Sequence, residues 1–292
     1  MAIVNCDAQQ RFITVDSTKI WINTIGTEDR KEGRPVIVFE SGYGTPMDNW
    51  DGILAGVSEL APLVTYDRPG IGKSEPINEM PTIKNVSDRL VRVLNYLKLE
   101  PPYILVGHSL GGLYVRGFAK YHPQLLAGIV LIDPADFTET HQNKRLYYDV
   151  LNWEAAKVDS LIQLFIDRRK NRRGQVSLSR QRESQVLEEL RESEFKEINM
   201  DSLPNIPVHI ITGGKFDKPK KFWSTEFDEE ALFRSKMKHR VHRWTNVVQS
   251  VDKGMLFYSG DAGHFVHIDD PELIISSIKI VLKDYQLLRQ KH

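Results

Sequence analysis

At 292 residues, with 41% hydrophobic and 27% charged side chains, the chain is long enough for one large core plus a small appended subdomain, and its composition is that of an ordinary globular protein. Its 39 lysines and arginines balance its 39 aspartates and glutamates, so no net charge draws it to nucleic acid or to an anionic membrane. The apolar runs are all shorter than the ~18 residues a membrane span needs, and one cysteine, Cys6, excludes an intrachain disulfide. The N-terminus shows no basic stretch followed by an apolar one, and a lone cysteine fits a reducing compartment. A cytoplasmic location is therefore expected, the alternative being an exported protein whose signal peptide has been removed.

In chain order, residues 11–17 and 19–25 read as a β-hairpin turning at Asp16-Ser17-Thr18, an antiparallel pair near a sheet edge. Pro35-Val36-Ile37-Val38-Phe39-Glu40 is a buried-type strand opening into Ser41-Gly42-Tyr43-Gly44, and the pattern predicts a helix over residues 48–60. Leu63-Val64-Thr65-Tyr66 is the next strand. Thr82 can cap a helix whose apolar face is Ile83, Val86, Leu90, Val93 and Leu97. Two more strands follow, Tyr103-Ile104-Leu105-Val106 and Ile129-Val130-Leu131-Ile132, the second stopping at Asp133-Pro134. From Phe137 to Leu203 no strand appears. Val150, Trp153, Val158, Leu161, Ile162 and Phe165 make one helical stripe, and Leu187, Leu190 and Ile198 a poorer one. The basic run Arg168-Arg169-Lys170-Asn171-Arg172-Arg173 carries no interleaved aromatic residue and reads as a solvated helix end. Strand character returns at Val208-His209-Ile210-Ile211-Thr212, then comes a helix around residues 226–250, the strand Met255-Leu256-Phe257-Tyr258, and a last helix capped by Asp270 with Pro271 at its first position. Alternating strands and helices specify an α/β fold with a doubly wound, mostly parallel sheet, a core of residues 1–136 and 204–292, and a helical insertion at 137–203.

Between the strand at 103–106 and a helix marked by Leu110, Leu113, Gly117, Phe118 and Tyr121 lies Gly107-His108-Ser109-Leu110-Gly111-Gly112. A G-x-S-x-G pentapeptide at a sharp strand-to-helix turn lifts a serine hydroxyl clear of the sheet edge, which makes Ser109 a candidate nucleophile. A serine hydroxyl needs a base. His264, in the small-residue loop Gly260-Asp261-Ala262-Gly263-His264 after the last strand, reaches the same sheet edge; His267 is second in line. His108 points to the other side of the turn and reads as a packing residue. A carboxylate must then hold the base. Asp217, after the strand at 208–212, is favoured because it gives the chain order Ser…Asp…His, with Asp133 one strand earlier as the alternative. The backbone amides of Tyr43 and Leu110 are the candidate donors to an oxyanion.

Together, Glu40-Ser41-Gly42-Tyr43-Gly44, the segment Tyr66-Asp67-Arg68-Pro69-Gly70-Ile71-Gly72-Lys73-Ser74, the Gly107 to Gly112 turn, Asp133-Pro134-Ala135 and Gly263-His264-Phe265-Val266-His267-Ile268-Asp269-Asp270-Pro271-Glu272 resemble the α/β-hydrolase superfamily. The resemblance is to its members with a helical cap after the sixth strand of an eight-stranded sheet, and it spans roughly residues 11–290. It implies Ser109 as nucleophile, His264 as base, Asp217 as acid, Tyr43 and Leu110 as oxyanion donors, and residues 137–203 as a cap over the pocket. Two departures stand out. Glu40-Ser41-Gly42 replaces the His-Gly of many relatives, and 47 positions separate Asp217 from His264, which keeps Asp133 open as the acid. A serine where haloalkane dehalogenases and epoxide hydrolases carry aspartate argues against both activities.

The expected function is a serine hydrolase cleaving a small carboxylic ester through an acyl-enzyme, with Trp153, Phe165 and Phe137 lining the substrate pocket. Amide or peptide cleavage, lactone opening and carbon–carbon hydrolysis use the same groups, and a ligand-binding receptor with little turnover is the alternative of another class. No metal-ligand cluster appears in the sequence, so neither a metal nor an organic cofactor is implied.

Overall fold

The computed structural model describes residues 8–171, 176–199 and 202–290; Cys6, Arg172 and Arg173 lie outside them. An eight-stranded sheet runs in the order β1-β2-β4-β3-β5-β6-β7-β8. β1 (Gln9–Val15) and β2 (Thr18–Ile25) form the expected hairpin, and Asp16 and Ser17 both take positive φ, the left-handed turn that suits the twist of a two-residue hairpin. β2 pairs antiparallel with β4 (Leu63–Tyr66), and from there the sheet is parallel: β3 (Val36–Glu40), β5 (Tyr103–His108), β6 (Leu126–Ile132), β7 (Val208–Gly213) and β8 (Gly254–Ser259). Every residue of β3 to β7 is buried, as strands covered on both faces require.

Helices cover both faces. α1 (Asp51–Ser58) and a C-terminal helix (Pro271–Arg289) bury Ile53, Val57, Ile274, Ile278 and Val281 on one side. On the other, α2 (Ile83–Tyr96) and α3 (Leu110–Tyr121) contribute Val86, Leu90, Leu113 and Phe118. Thr82 caps α2 by accepting from the Asn85 amide, and Asp270 caps the C-terminal helix by accepting from Leu273. In place of one helix over residues 48–60, a tight 3-10 turn (Met47–Trp50) precedes α1. The Met47 amide donates to Asp67 Oδ1 at 2.7 Å, pinning that turn to the loop after β4.

Between β6 and β7 the chain is helical, with α4 (His141–Arg145), a 3-10 segment (Leu146–Leu151), α5 (Ala155–Lys170), α6 (Leu178–Glu192) and α7 (Lys196–Asn199). The apolar stripe running from Val150 to Phe165 is not one helix. Asn152 in the left-handed conformation ends the 3-10 segment before α5 starts, and Val150 is exposed. Tyr147, Tyr148 and Val158 pack with Leu232 from α8 (Glu229–Gln249), so the first half of α8 serves the insertion while Trp244 and Val248 in its second half serve the main core. The short α9 (Val266–Asp269) and α10, the C-terminal helix, close the chain.

Candidate active site

Ser109 sits between β5 and α3 at φ 54°, ψ −116°, a left-handed backbone that costs a non-glycine residue about 1–3 kcal/mol. Three hydrogen bonds hold it there: its amide donates to Ile132 O at 3.1 Å, and its carbonyl accepts from Gly112 at 3.1 Å and Ala135 at 3.2 Å. A Cβ on Gly107 would lie 2.6 Å from Gly111 O, and one on Gly111 only 2.0 Å from Glu40 O, so neither flank of the turn admits a side chain.

His264 Nδ1 donates to Asp133 Oδ2 at 2.6 Å, which leaves Nε2 free to accept a proton. Asp133 itself follows β6 at φ 35°, with its amide on Ile211 O (2.7 Å) and the Thr212 hydroxyl on its Oδ1 (2.9 Å). Burial alone would lift this carboxyl above its usual range; the His264 hydrogen bond and the Arg240 guanidinium, 3.6 Å away, outweigh burial and hold it below. The favoured acid, Asp217, is thereby corrected: His264 Nδ1 is paired with Asp133. The physical reason is the path of the chain after β7. Gly214 donates to Ser259 O and Lys215 to Ala262 O, so the segment runs on along the β8 edge, and the Asp217 carboxylate ends beside Gly263 without a hydrogen bond to the imidazole.

His108, expected to be a packing residue on the other side of the turn, is buried with its ring centre 4.6 Å from that of His264. Its Nε2 donates to the His264 carbonyl at 2.9 Å and so braces the loop that carries the base; burial, with the His264 and His267 charges, depresses its pKa to about 3. The second candidate base, His267, is buried against the Trp50 ring, with Asn49 Nδ2 donating to its Nε2 at 2.5 Å. Burial first, and then the His264 charge, take its pKa down to about 4, which leaves it a neutral packing residue.

The loop after β3 is held by a buried ionic cluster that sequence reasoning missed. Arg68 donates to the carbonyls of Ser41 (2.6 Å) and Gly42 (2.8 Å), to Glu40 Oε1 (2.6 Å), and to Glu183 Oε1 of α6 (2.8 Å). Glu183 Oε2 accepts from the Gly44 amide at 2.7 Å. With the Gly42 carbonyl turned to Arg68, a trans peptide points the Tyr43 N–H the opposite way. Leu110 is the first residue of α3, and its amide is among the donors a helix start leaves without an intrahelical partner. The clue was present: Glu183 falls on the same α6 face as Val186 and Leu190, a lone carboxylate in an apolar stripe.

Ser109, Asp133 and His264 line one cavity of about 730 Å³ whose outer walls come from the insertion and α8. Phe165 is in that wall, as expected. Trp153 and Phe137 are corrected. Trp153 packs edge-on to Phe227 under the Lys157 ammonium in the insertion's own core, and Phe137 is fully buried in the main core, because each is more stabilised by close packing than by facing water. A hydroxyl, an imidazole and a carboxylate gathered at one cavity can together form and release a covalent ester.

The chain matches the alpha/beta hydrolase fold family over residues 35–271, most of its length, and belongs to that family. It is 36% identical over 110 residues to the uncharacterized protein YqjL of Bacillus subtilis, an alignment covering 37% of this chain and 44% of that protein. It is also 33% identical over 104 residues to the putative carbamate hydrolase RutD of Caulobacter vibrioides, covering 35% of this chain and 38% of RutD. The chain thus spans less than half the length of these curated relatives. Among solved structures, the enol-lactonase from Burkholderia xenovorans LB400 superimposes with a TM-score of 0.56 at 17% identity, over 94% of this chain and all of that one, which establishes the shared fold.

Proposed function

We propose that the protein is a serine hydrolase of small carboxylic esters, working through an acyl-enzyme on Ser109, with residues 137–203 as the cap over the site. His264 Nε2 takes the Ser109 proton as Oγ bonds to the ester carbonyl carbon; the tetrahedral oxyanion is met by the Tyr43 and Leu110 amides; the carbon–alkoxide bond breaks and the alcohol leaves with the proton from His264. Water then adds to the acyl carbon, giving its proton to His264, and Ser109 leaves with that proton, releasing the acid. Asp133 holds the imidazole's tautomer and offsets its charge while it is protonated. The observation that carries this proposal is the 2.6 Å His264–Asp133 pair opening on the same cavity as the strained Ser109 turn. The carbamate hydrolase and enol-lactonase names of two similar proteins fit the same groups acting on a carbamate or a lactone. The test is hydrolysis of 4-nitrophenyl esters from short to long acyl chains by wild type and Ser109→Ala, with mass spectrometry after a fluorophosphonate. Turnover lost in the variant and an adduct on Ser109 are expected; turnover surviving in Ser109→Ala sinks the proposal.

A further inference from the structure

The cavity that holds Ser109 and His264 is unevenly charged. Among the described residues, seven lysines and arginines line it against four aspartates and glutamates. Most of these cations are already answered: Lys144 by Glu139 at 3.0 Å, Lys218 by Glu229 at 2.6 Å, and Arg240 by Asp133 and Asp136 at 3.6 and 3.5 Å. Arg169 and Arg191 share the single carboxylate of Glu188, at 2.8 and 2.6 Å.

Arg168, exposed near the end of α5, and Lys236 have no ion pair among the described residues, and of the two Lys236 is the one held against aromatic rings. It projects from α8 into the cavity with its ammonium 5.7 Å from the Tyr148 ring centre and 5.3 Å from the Phe165 ring centre. Among the described residues, no carboxylate lies within 4 Å of it and no acceptor takes its protons. Lys236 is part-buried, and an ammonium partly withdrawn from water is stabilised when an anion meets it. Burial accordingly draws its pKa below that of an ordinary lysine, with Lys144 and Arg240 adding to that pull and Glu139 and Glu229 opposing it. Two aromatic faces soften the cost of that withdrawal by cation–π attraction but do not remove it. The wall beside the nucleophile therefore holds a cation that, among the described residues, has no ion pair or hydrogen bond of its own, Glu139 and Glu229 acting on it only at longer range.

We infer that the substrate supplies the partner: the ester carries a carboxylate remote from the scissile bond, seated on the Lys236 ammonium between Tyr148 and Phe165. This rests on the ester-hydrolase proposal above and narrows its substrate to half-esters of dicarboxylic acids or to esters of carboxylated alcohols. The bond broken is unchanged, and the carboxylate takes no part in it.

The experiment compares pairs of closely matched size that differ in charge: mono-4-nitrophenyl glutarate against 4-nitrophenyl 5-methylhexanoate for the acyl side, and 3-acetoxybenzoate against 3-acetoxybenzamide for the alcohol side. The quantity read is the ratio of kcat/KM, anionic over neutral. In wild type the ratio should exceed one on at least one side. Lys236→Met should lower it by about tenfold or more, Lys236→Arg should restore part of it, and Lys238→Met, an exposed lysine on the same helix, should leave it and the basal activity alone. A ratio at or below one on both sides, or a ratio Lys236→Met does not move, overturns the inference while leaving ester hydrolysis and the Ser109 adduct intact. Should no ester be turned over and Ser109 stay unlabelled, the hydrolase proposal is what has failed. Calorimetric binding of glutarate then decides the inference: tenfold weakening in Lys236→Met upholds it, and equal affinity overturns it.

Discussion

Asp133→Asn tests which carboxylate serves His264. In the wild type the imidazole Nδ1–H donates to an ionised Asp133 at 2.6 Å, and the same carboxylate accepts from Thr212 and lies 3.6 Å from Arg240. An asparagine amide can present its NH₂ to Nδ1, which forces the other tautomer and leaves Nε2 protonated, unable to take the serine proton. The charge that steadies the imidazolium is lost in the same change. The corresponding aspartate-to-asparagine change in a serine protease lowers turnover about 10⁴-fold, or about 5 kcal/mol of transition-state stabilisation, and a loss on that scale is expected here. Asp217, without a bond to His264, should tolerate Asn with turnover within about threefold of wild type. The assay is kcat for a short 4-nitrophenyl ester, with the rate of fluorophosphonate labelling of Ser109 as an independent measure of nucleophile activation and a urea melt to check folding. If Asp217→Asn abolishes turnover, or Asp133→Asn keeps more than about a tenth of it, the pairing described above is not the working one.

Three further outcomes are expected. Glu183→Ala leaves the Arg68 charge under-compensated and the Gly44 amide without its acceptor, so the urea midpoint should fall by the equivalent of about 3–5 kcal/mol; a shift below about 1 kcal/mol would mean the cluster is not holding the loop. Gly42→Ala places a Cβ 2.9 Å from His108 Nδ1 and 3.5 Å from Ser109 Cβ; kcat should drop at least about tenfold for a stability cost of only about 1–3 kcal/mol, and unchanged kinetics would show that His108 is free to yield. The pH dependence of stability follows from buried histidines. His209 and His267 are pulled from 6.5 to about 4, and His108 to about 3, burial being the first cause in each, so the unfolded chain binds protons there that the folded chain refuses. Their stabilisation is complete above pH 6.5 and drains away as pH falls through that window, by up to about 3 kcal/mol each near pH 4; a urea midpoint flat from pH 7 to 4.5 would contradict this.

The sheet, its edge hairpin and the serine turn were legible in the residues because each rests on local rules: continuous apolar runs for buried strands, glycines where a Cβ has no room, Thr82 and Asp270 at helix starts. Parallel strands then bring Glu40, Gly107 and Ile132 to one edge, which fixes the neighbourhood of Ser109 and His264 without any knowledge of contacts. Asp133 against Asp217 was not legible, since both follow strands at that edge and the choice turns on how the chain runs after Gly213. Nor was the division of the aromatics. Trp153, Phe165 and Phe137 are alike in sequence; Trp153 and Phe165 even pack on the same insertion cluster, and only the placement of Phe165 on α5, of Trp153 in the loop before it and of Phe137 in the main core separates the wall residue from the others. Arg68 with Glu40 and Glu183 spans 115 positions between Arg68 and Glu183, beyond what any local pattern can register.

That span has a consequence for how such a protein can change. One carboxylate of the insertion, Glu183, reaches through Arg68 and the Gly44 amide to the strand-end loop that carries the Tyr43 amide. The part of the chain that walls the cavity is therefore mechanically joined to the loop that, in the proposed reaction, would stabilise the oxyanion. Specificity and rate are not separately exchangeable modules: a transplanted insertion lacking a glutamate at this place would bring a new pocket and slacken the old machinery together.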